Sequence, residues 1–232
     1  MTVMELFNIY KKKKIEENIK IIKIIVIGDS NVGKSTMSEY YITNQINIES
    51  TATIGIEFYT KLVDYNEKKF RLHIWDTAGQ EQFQSISRVY YHDATCAIIC
   101  FSLIDKKSFD NLPNHINEVE KLCPKNTIKI LVGTHCDKEE VINDSEVNKI
   151  LEEINCKYIK VSSMTGENIK EVFDTLIENI DNNMKVKQTD LDNILDLEKK
   201  NIENNIIKNY IDDSIKVVNL DEEKTKWSLC CN

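Results

Sequence analysis

At 232 residues, 41% of them hydrophobic and 29% charged, the chain has room for one packed domain with extensions. Its formal net charge of −8 excludes nucleic acid as a main partner, because a phosphate backbone calls for a positive face. Seven cysteines, an odd number without a CxxC pair, exclude a disulfide framework and a zinc site, and no stretch approaches the ~20 apolar residues of a membrane span.

Residues 1–19 are expected to form a flexible N-terminal extension. The apolar run after it, IIKIIVIG, is short, contains Lys23 and leads into a glycine loop, so it is not read as a signal peptide. Thr2 follows Met1, which removes the glycine that myristoylation needs. Strands are predicted at 21–27, 96–103, 127–133 and 157–161, and helices at 34–43, 106–122, 145–155 and 168–180. This alternation predicts an α/β domain with a mainly parallel sheet. One segment departs from the series. GIEFYTKLVDY alternates with Ile56, Phe58 and Leu62 on one face, NEKK turns, and FRLHIW sets Phe70, Leu72 and Ile74 on one face with Trp75 opposite, an antiparallel hairpin. Pro113 is expected to bend or split the helix over 106–122.

From Asp181 onward the chain is rich in Asn, Asp, Lys and Ile and holds no glycine or proline. A largely disordered tail is the favoured reading. Leu191, Ile194, Leu195, Ile202 and Ile206, near helical spacing, support a partner-binding helix as the alternative.

The stretch GDSNVGKST, Gly28 to Thr36, fits G-x-x-x-x-G-K-[ST] and lies between the strand 21–27 and the helix 34–43. Backbone N–H groups over Ser30, Asn31, Val32, Gly33, Lys34 and Ser35 can cradle phosphates at the positive end of that helix, with Thr36 in its first turn. Lys34 would bridge the outer phosphates and the Ser35 hydroxyl would ligate magnesium. This loop alone leaves ATP and GTP both open. WDTAGQEQF follows the hairpin's second strand. Asp76 stands where a water-mediated magnesium contact originates, Gly79 offers a pivot and an N–H to a γ-phosphate, and Gln80 can orient an attacking water.

With these residues the sequence resembles the Ras superfamily of small GTPases, the Rab family most closely, over about residues 20–181 and the terminal cysteines. The resemblance implies a P-loop small G domain: a mainly parallel six-stranded sheet with one antiparallel hairpin strand and helices on both faces. TIGIEF at 53–58 resembles a Rab switch I, in which Thr53 gives its hydroxyl to magnesium and its N–H to the γ-phosphate. YYHDA at 90–94 resembles the Rab end of switch II. Phe58, Trp75 and Tyr90 match the aromatic triad that Rabs present to effectors. Ordinary core packing is the competing reading, strongest for Phe58. SSMTGENI at 162–169 resembles the loop SAKTGENV that closes over the base, with Ser162 direct, Ser163 at the small position and Met164 in place of lysine. ICFSLIDKKSFDNLPNHINEVEKLCP is similar to a Rho-family strand and helix, but the segment from Asp137 to Ser162 is too short for the Rho insert. The chain is therefore read as a divergent Rab.

The base-reading loop of the superfamily runs N-K-x-D; here it is THCD. Asp137 keeps the acid that accepts from guanine N1–H and its exocyclic amine, and adenine would leave that carboxylate unpaired at a cost on the order of 1–3 kcal/mol. Thr134 replaces the asparagine, and His135 replaces the lysine that lies along base and sugar, where its flat ring could stack. Ile46 stands where many relatives place an aromatic across the base, so weaker retention and faster exchange are expected. Only two arginines occur, Arg71 and Arg88, neither placed as a finger beside a γ-phosphate, so an activating protein is expected to supply that charge.

The resemblance further implies GTP/GDP and Mg2+ as ligands. It implies an exchange factor, a GTPase-activating protein, effectors, a prenylation escort and a GDP-dissociation inhibitor as partners. The ending WSLCCN resembles the Rab pattern for geranylgeranyl groups on Cys230 and Cys231, two lipids being enough for stable anchoring. Residues 181–232 carry eight Lys against eleven Asp and Glu, so electrostatic anchoring is not expected. The expected organisation is an extension at 1–19, a GTPase domain at 20–181 and a hypervariable tail at 182–232. The expected location is the cytoplasmic face of intracellular membranes, with a cytosolic pool. A slow GTP-hydrolysing switch in vesicle traffic is the leading reading; a pseudo-GTPase binding module and a Rho-like signalling GTPase are the alternatives.

Overall fold

The computed structural model describes residues 19–46, 53, 55–77, 90–154, 156–186 and 189. The expected extension at 1–19, apart from Ile19, and most of the expected tail lie outside them, as do Gly79, Gln80, Cys230 and Cys231.

The strands are β1 (Ile19–Ile27), β2 (Ile56–Tyr65), β3 (Lys68–Thr77), β4 (Cys96–Ser102), β5 (Ile128–Thr134) and β6 (Lys157–Val161). The helices are α1 (Lys34–Thr43), α2 (Lys106–Asp110), α3 (Leu112–Leu122), α4 (Asp144–Ile154) and α5, residues 169–186. The six strands run in the order β2-β3-β1-β4-β5-β6, parallel throughout except between β2 and β3. β1 and β4 are buried over near-continuous apolar runs, Ile24–Ile27 and all of Cys96–Ser102, as strands covered on both faces require.

The hairpin turns at Asn66 and Glu67, both left-handed at φ 47° and 62°, which matches the right-handed twist of the two strands. Phe70, Leu72 and Ile74 of β3 point into the core and are fully buried. On β2 the inner face belongs to the other register, Tyr59, Lys61, Val63 and Tyr65, while Phe58 and Leu62 stand outside at 48% and 51% exposure. Core packing is thus not the role of Phe58.

The expected split at Pro113 occurs at Asn111, two residues before the ring. Asn111 closes α2 and opens α3 at φ −86°, and Pro113 takes a place in the first turn of α3, where its missing N–H costs nothing. One core layer joins Ile25, Ile27, Ile99, Phe101 and Leu131 to Leu112, Ile116 and Val119 of α3 and Val147 of α4. Across the sheet Tyr41 of α1 stacks on Phe173 of α5 with centroids 3.7 Å apart. Truncating a fully buried ring such as Phe101 would cost about 3–5 kcal/mol. The described cysteines are all free; Cys96 and Cys100 are buried as small hydrophobes, and burial pushes the Cys100 thiol up to about 12.

β1 has β3 on one side and β4 on the other, so the chain's winding reverses beside it. The turns that leave the carboxyl ends of β1, β3, β4, β5 and β6 gather at one edge of the sheet, and in open α/β folds ligands bind in such a crevice. β2 runs antiparallel and its first residue, Ile56, pairs with Thr77, the last of β3, so Thr53, which precedes β2, returns to the same edge.

Candidate nucleotide and magnesium site

The turn from β1 into α1 is built by backbone constraint. A Cβ at Gly28 would meet the Cys100 carbonyl oxygen at 2.2 Å, so β4 passes too close for any side chain. Asn31 and Gly33 adopt left-handed φ of 63° and 86°, which gives the loop the concave run of amides that binds anions. The positive end of α1 opens behind it. Lys34 is buried and lies back over the loop, donating to the carbonyls of Gly28 (2.9 Å) and Asp29 (2.7 Å). Burial lowers its pKa, opposed by Asp76, Cys100 and Asp29.

Ser35 brings the predicted magnesium ligands together. Its hydroxyl lies 2.7 Å from the Thr53 hydroxyl and donates to Asp76 Oδ2. Asp76 is fully buried, and burial pushes its carboxyl up to about 6 against the pull of Ser35 and Lys34. Its other oxygen, Oδ1, is buried with no hydrogen-bond partner among the described residues. Two hydroxyls and an under-satisfied buried carboxylate are hard oxygen donors of the kind magnesium takes, so the residues fit that ion.

The base side is held by side chains. Thr134, at the end of β5, is buried, and its Oγ1 reaches the Val32 carbonyl of the phosphate loop (2.6 Å) and the Phe101 carbonyl (3.0 Å). A single donor to Val32 thus ties the loop after β5 to the phosphate loop at the position where the N-K-x-D pattern has asparagine. His135 is left-handed at φ 64°, and its ring lies against Gly33: Cε1 is 3.6 Å from where a Cβ there would stand. Burial, then Lys138, lowers the His135 pKa, while Asp137 raises it. Asp137 is exposed, and a hydrogen bond from Ser162 holds its carboxyl below the usual range. Ser162 is buried, and its Oγ also accepts from the N–H groups of Met164 and Thr165, both at 3.2 Å, which fixes the closing loop. Ser163 is half-buried and Met164 is 51% exposed, beside the same crevice. Ile46 is 38% exposed.

Three supports of the site were not singled out in the sequence. Ser102 Oγ lies 3.0 Å from His135 Nδ1. Asp29 Oδ1 accepts from Asn111 Nδ2 (2.6 Å) and His115 Nε2 (2.7 Å), clamping the phosphate loop to the start of α3. Tyr40 packs its hydroxyl where a Cβ on Gly166 would stand, at 2.0 Å, so the closing loop needs glycine there. Ser102 alone had a local signal, a polar residue ending an apolar strand at the crevice edge.

Away from the crevice, Phe58, Trp75 and Tyr90 form a run of ring contacts, with centroids 4.9 Å apart for Phe58–Trp75 and 5.2 Å for Trp75–Tyr90. Among the described residues no helix is long and apolar enough to cross a membrane.

The family model described as the Ras family matches residues 23–182. "GTP-binding protein ypt2" of Schizosaccharomyces pombe is 33% identical over 185 residues, 79% of this chain and 90% of that protein. "Ras-related protein RABA5e" of Arabidopsis thaliana is 33% identical over 76% of this chain and 82% of its own length. "Ras-related protein Rab-2B" of Dictyostelium discoideum is 33% identical over 69% and 80%. The family match over residues 23–182 and these relatives, each covered over more than two thirds of its length, show that the chain belongs to the Ras family of small GTPases, close to Rab.

Proposed function

We propose that this protein is a GTP/GDP-cycling switch that hydrolyses GTP slowly and recruits effectors in vesicle traffic. The observation that carries the reading is the gathering of Lys34, Ser35, Thr53 and Asp76 at the same edge as the Asp137–Ser162 pair. The buried Asp76 oxygen without a partner among the described residues supports a polar ligand at this place.

Lys34 leaves the carbonyls of Gly28 and Asp29 to reach the outer phosphates, and the loop amides hold the rest of the chain of phosphates. The Ser35 and Thr53 hydroxyls, with Asp76 behind them, would hold magnesium, which when bound would supply neutralisation of charge on the phosphate oxygens. Asp137, preset by Ser162, accepts from the guanine edge, while Ser163 and Met164 close over the base. Gln80 orients the attacking water, and Gly79 with Thr53 senses the γ-phosphate, ordering the two switches until hydrolysis releases them. An activating protein supplies an arginine, raising the rate by roughly 10³–10⁵.

Phe58, Trp75 and Tyr90 present the effector surface, which an ordered switch pair makes readable. Geranylgeranyl groups on Cys230 and Cys231 hold the protein on the cytoplasmic face of an internal membrane. An exchange factor, a prenylation escort and a GDP-dissociation inhibitor complete the cycle. The nucleotide-binding domain is taken as 20–181, between the N-terminal extension and the tail. The test is to denature freshly purified protein and identify what it releases. Near-stoichiometric GDP or GTP supports the switch; a protein that magnesium and excess GTP cannot fill overturns it.

A further inference from the structure

His135 occupies the base-loop position at which the family carries a permanent cation, and its surroundings fix which of its nitrogens can change charge. Nδ1 lies 3.0 Å from Ser102 Oγ and 3.1 Å from Thr134 Oγ1. Thr134 has one hydroxyl proton, and the carbonyls of Val32 and Phe101, 2.6 and 3.0 Å away, can only accept it. Toward the ring, then, the Thr134 oxygen is an acceptor, and a proton on Nδ1 of the neutral imidazole is the arrangement that satisfies both it and Ser102 Oγ, which can donate or accept. The bare nitrogen is Nε2. It lies on the ring edge that faces Gly33, 3.9 Å from where a Cβ there would stand, next to the amides that cradle phosphate.

We propose that His135 sets how long the protein keeps its guanine nucleotide, by gaining a proton at Nε2 that the bound phosphates stabilise. The inference rests on the guanine-nucleotide reading above. Without nucleotide, burial holds the ring neutral at pH 7. The charged groups on the elements around it are Asp137 and Lys138 on its own loop, Asp29 and Lys34 on the phosphate loop, Asp105 beyond Ser102, and Glu167 on the closing loop. Bound phosphates add negative charge on the Gly33 side and favour the imidazolium, so binding takes up a proton. Affinity therefore rises as pH falls through the pKa of the complex and levels off below that of the free protein, by about tenfold per unit between the two. Ser102 acts as a positioning residue, keeping Nδ1 engaged and Nε2 as the site that titrates.

The test follows release of fluorescently labelled GDP, with magnesium present and excess unlabelled GDP as chase, from pH 5.5 to 8.5. The full chain is compared with His135→Gln, His135→Lys, Ser102→Ala and Ser102→Thr. Protonation of GDP itself is common to all five and cancels in the comparison. Relative to His135→Gln, the natural protein should release GDP more slowly as pH falls. His135→Lys should be slow across the range, Ser102→Ala should displace the midpoint, and Ser102→Thr should restore it. The His135 ring resonance should titrate at higher pH with GDP bound than without. Parallel profiles for the natural protein and His135→Gln, or a ring midpoint unmoved by GDP, overturn the inference alone. Labelled GDP that fails to bind at every pH overturns the switch reading, and this inference with it.

Discussion

The two halves of the crevice are built by different means. On the phosphate side the turn 28–33 is fixed by backbone, through Gly28 pressed on Cys100, the left-handed Asn31 and Gly33, and the start of α1; its side chains Lys34, Ser35 and Asp76 are those the motif requires. On the base side two of the expected side chains are replaced, yet the geometry is refilled. Thr134 supplies the donor to Val32, and the His135 ring covers Gly33. A backbone-made cradle tolerates little, because moving an amide moves the whole loop. A side-chain tie survives substitution whenever the new residue delivers one donor to the same acceptor.

The contrast predicts unequal costs. Lys34→Ala should weaken GDP binding on the order of 100-fold by equilibrium titration, since a charge-assisted phosphate contact has no substitute nearby. A loss under fivefold would erase the distinction.

Asp76→Asn should act in opposite directions on stability and on binding. A carboxyl raised to about 6 from an unfolded value of 3.8 stabilises the fold fully below pH 3.8, and that stability is lost as pH rises to 6. In nucleotide- and magnesium-free protein, Asp76→Asn should therefore gain up to about 3 kcal/mol above pH 6, with the gain vanishing near pH 4. The same change should abolish the slowing of GDP release by magnesium. Urea melts at the two pH values and release with and without chelator check both parts.

On the base side Thr134→Ala should cost about 1 kcal/mol, read as roughly fivefold faster GDP release, and Thr134→Ser should restore the natural rate. A null effect of Thr134→Ala would show that the Val32 tie does not matter. The smallest effect lies outside both halves. Glu67, left-handed at 62° in the hairpin turn, should tolerate glycine with a gain of about 1 kcal/mol in melting experiments and no change in nucleotide release.

Much of the fold was legible because its signals are local. Apolar runs placed β1, β4, β5 and β6 within two residues of the observed ends, and Pro113 marked the break between α2 and α3. The positions of Lys34, Ser35, Asp76 and Asp137 at one sheet edge were expected because each sits in a motif tied to a strand end. For Phe58 it was the competing reading of core packing that fell, because alternation shows that a face exists but not which face is covered; α1 lies on the other side of β2, where Lys61 meets Tyr41. The Asp29–His115 clamp and the Ser102–His135 contact were not legible, since their partners stand 86 and 33 residues apart and meet only once the sheet is assembled.

Competitive displacement of labelled GDP by unlabelled GDP and by ADP, in the same buffer with magnesium, asks most directly whether the refilled base side still reads guanine. GDP should displace the label at a concentration below that of ADP by about fivefold to on the order of a hundredfold, since adenine leaves Asp137 unpaired at about 1–3 kcal/mol. Equal displacement by the two would mean that the phosphate side does all the binding and that the base side, however well refilled, no longer selects.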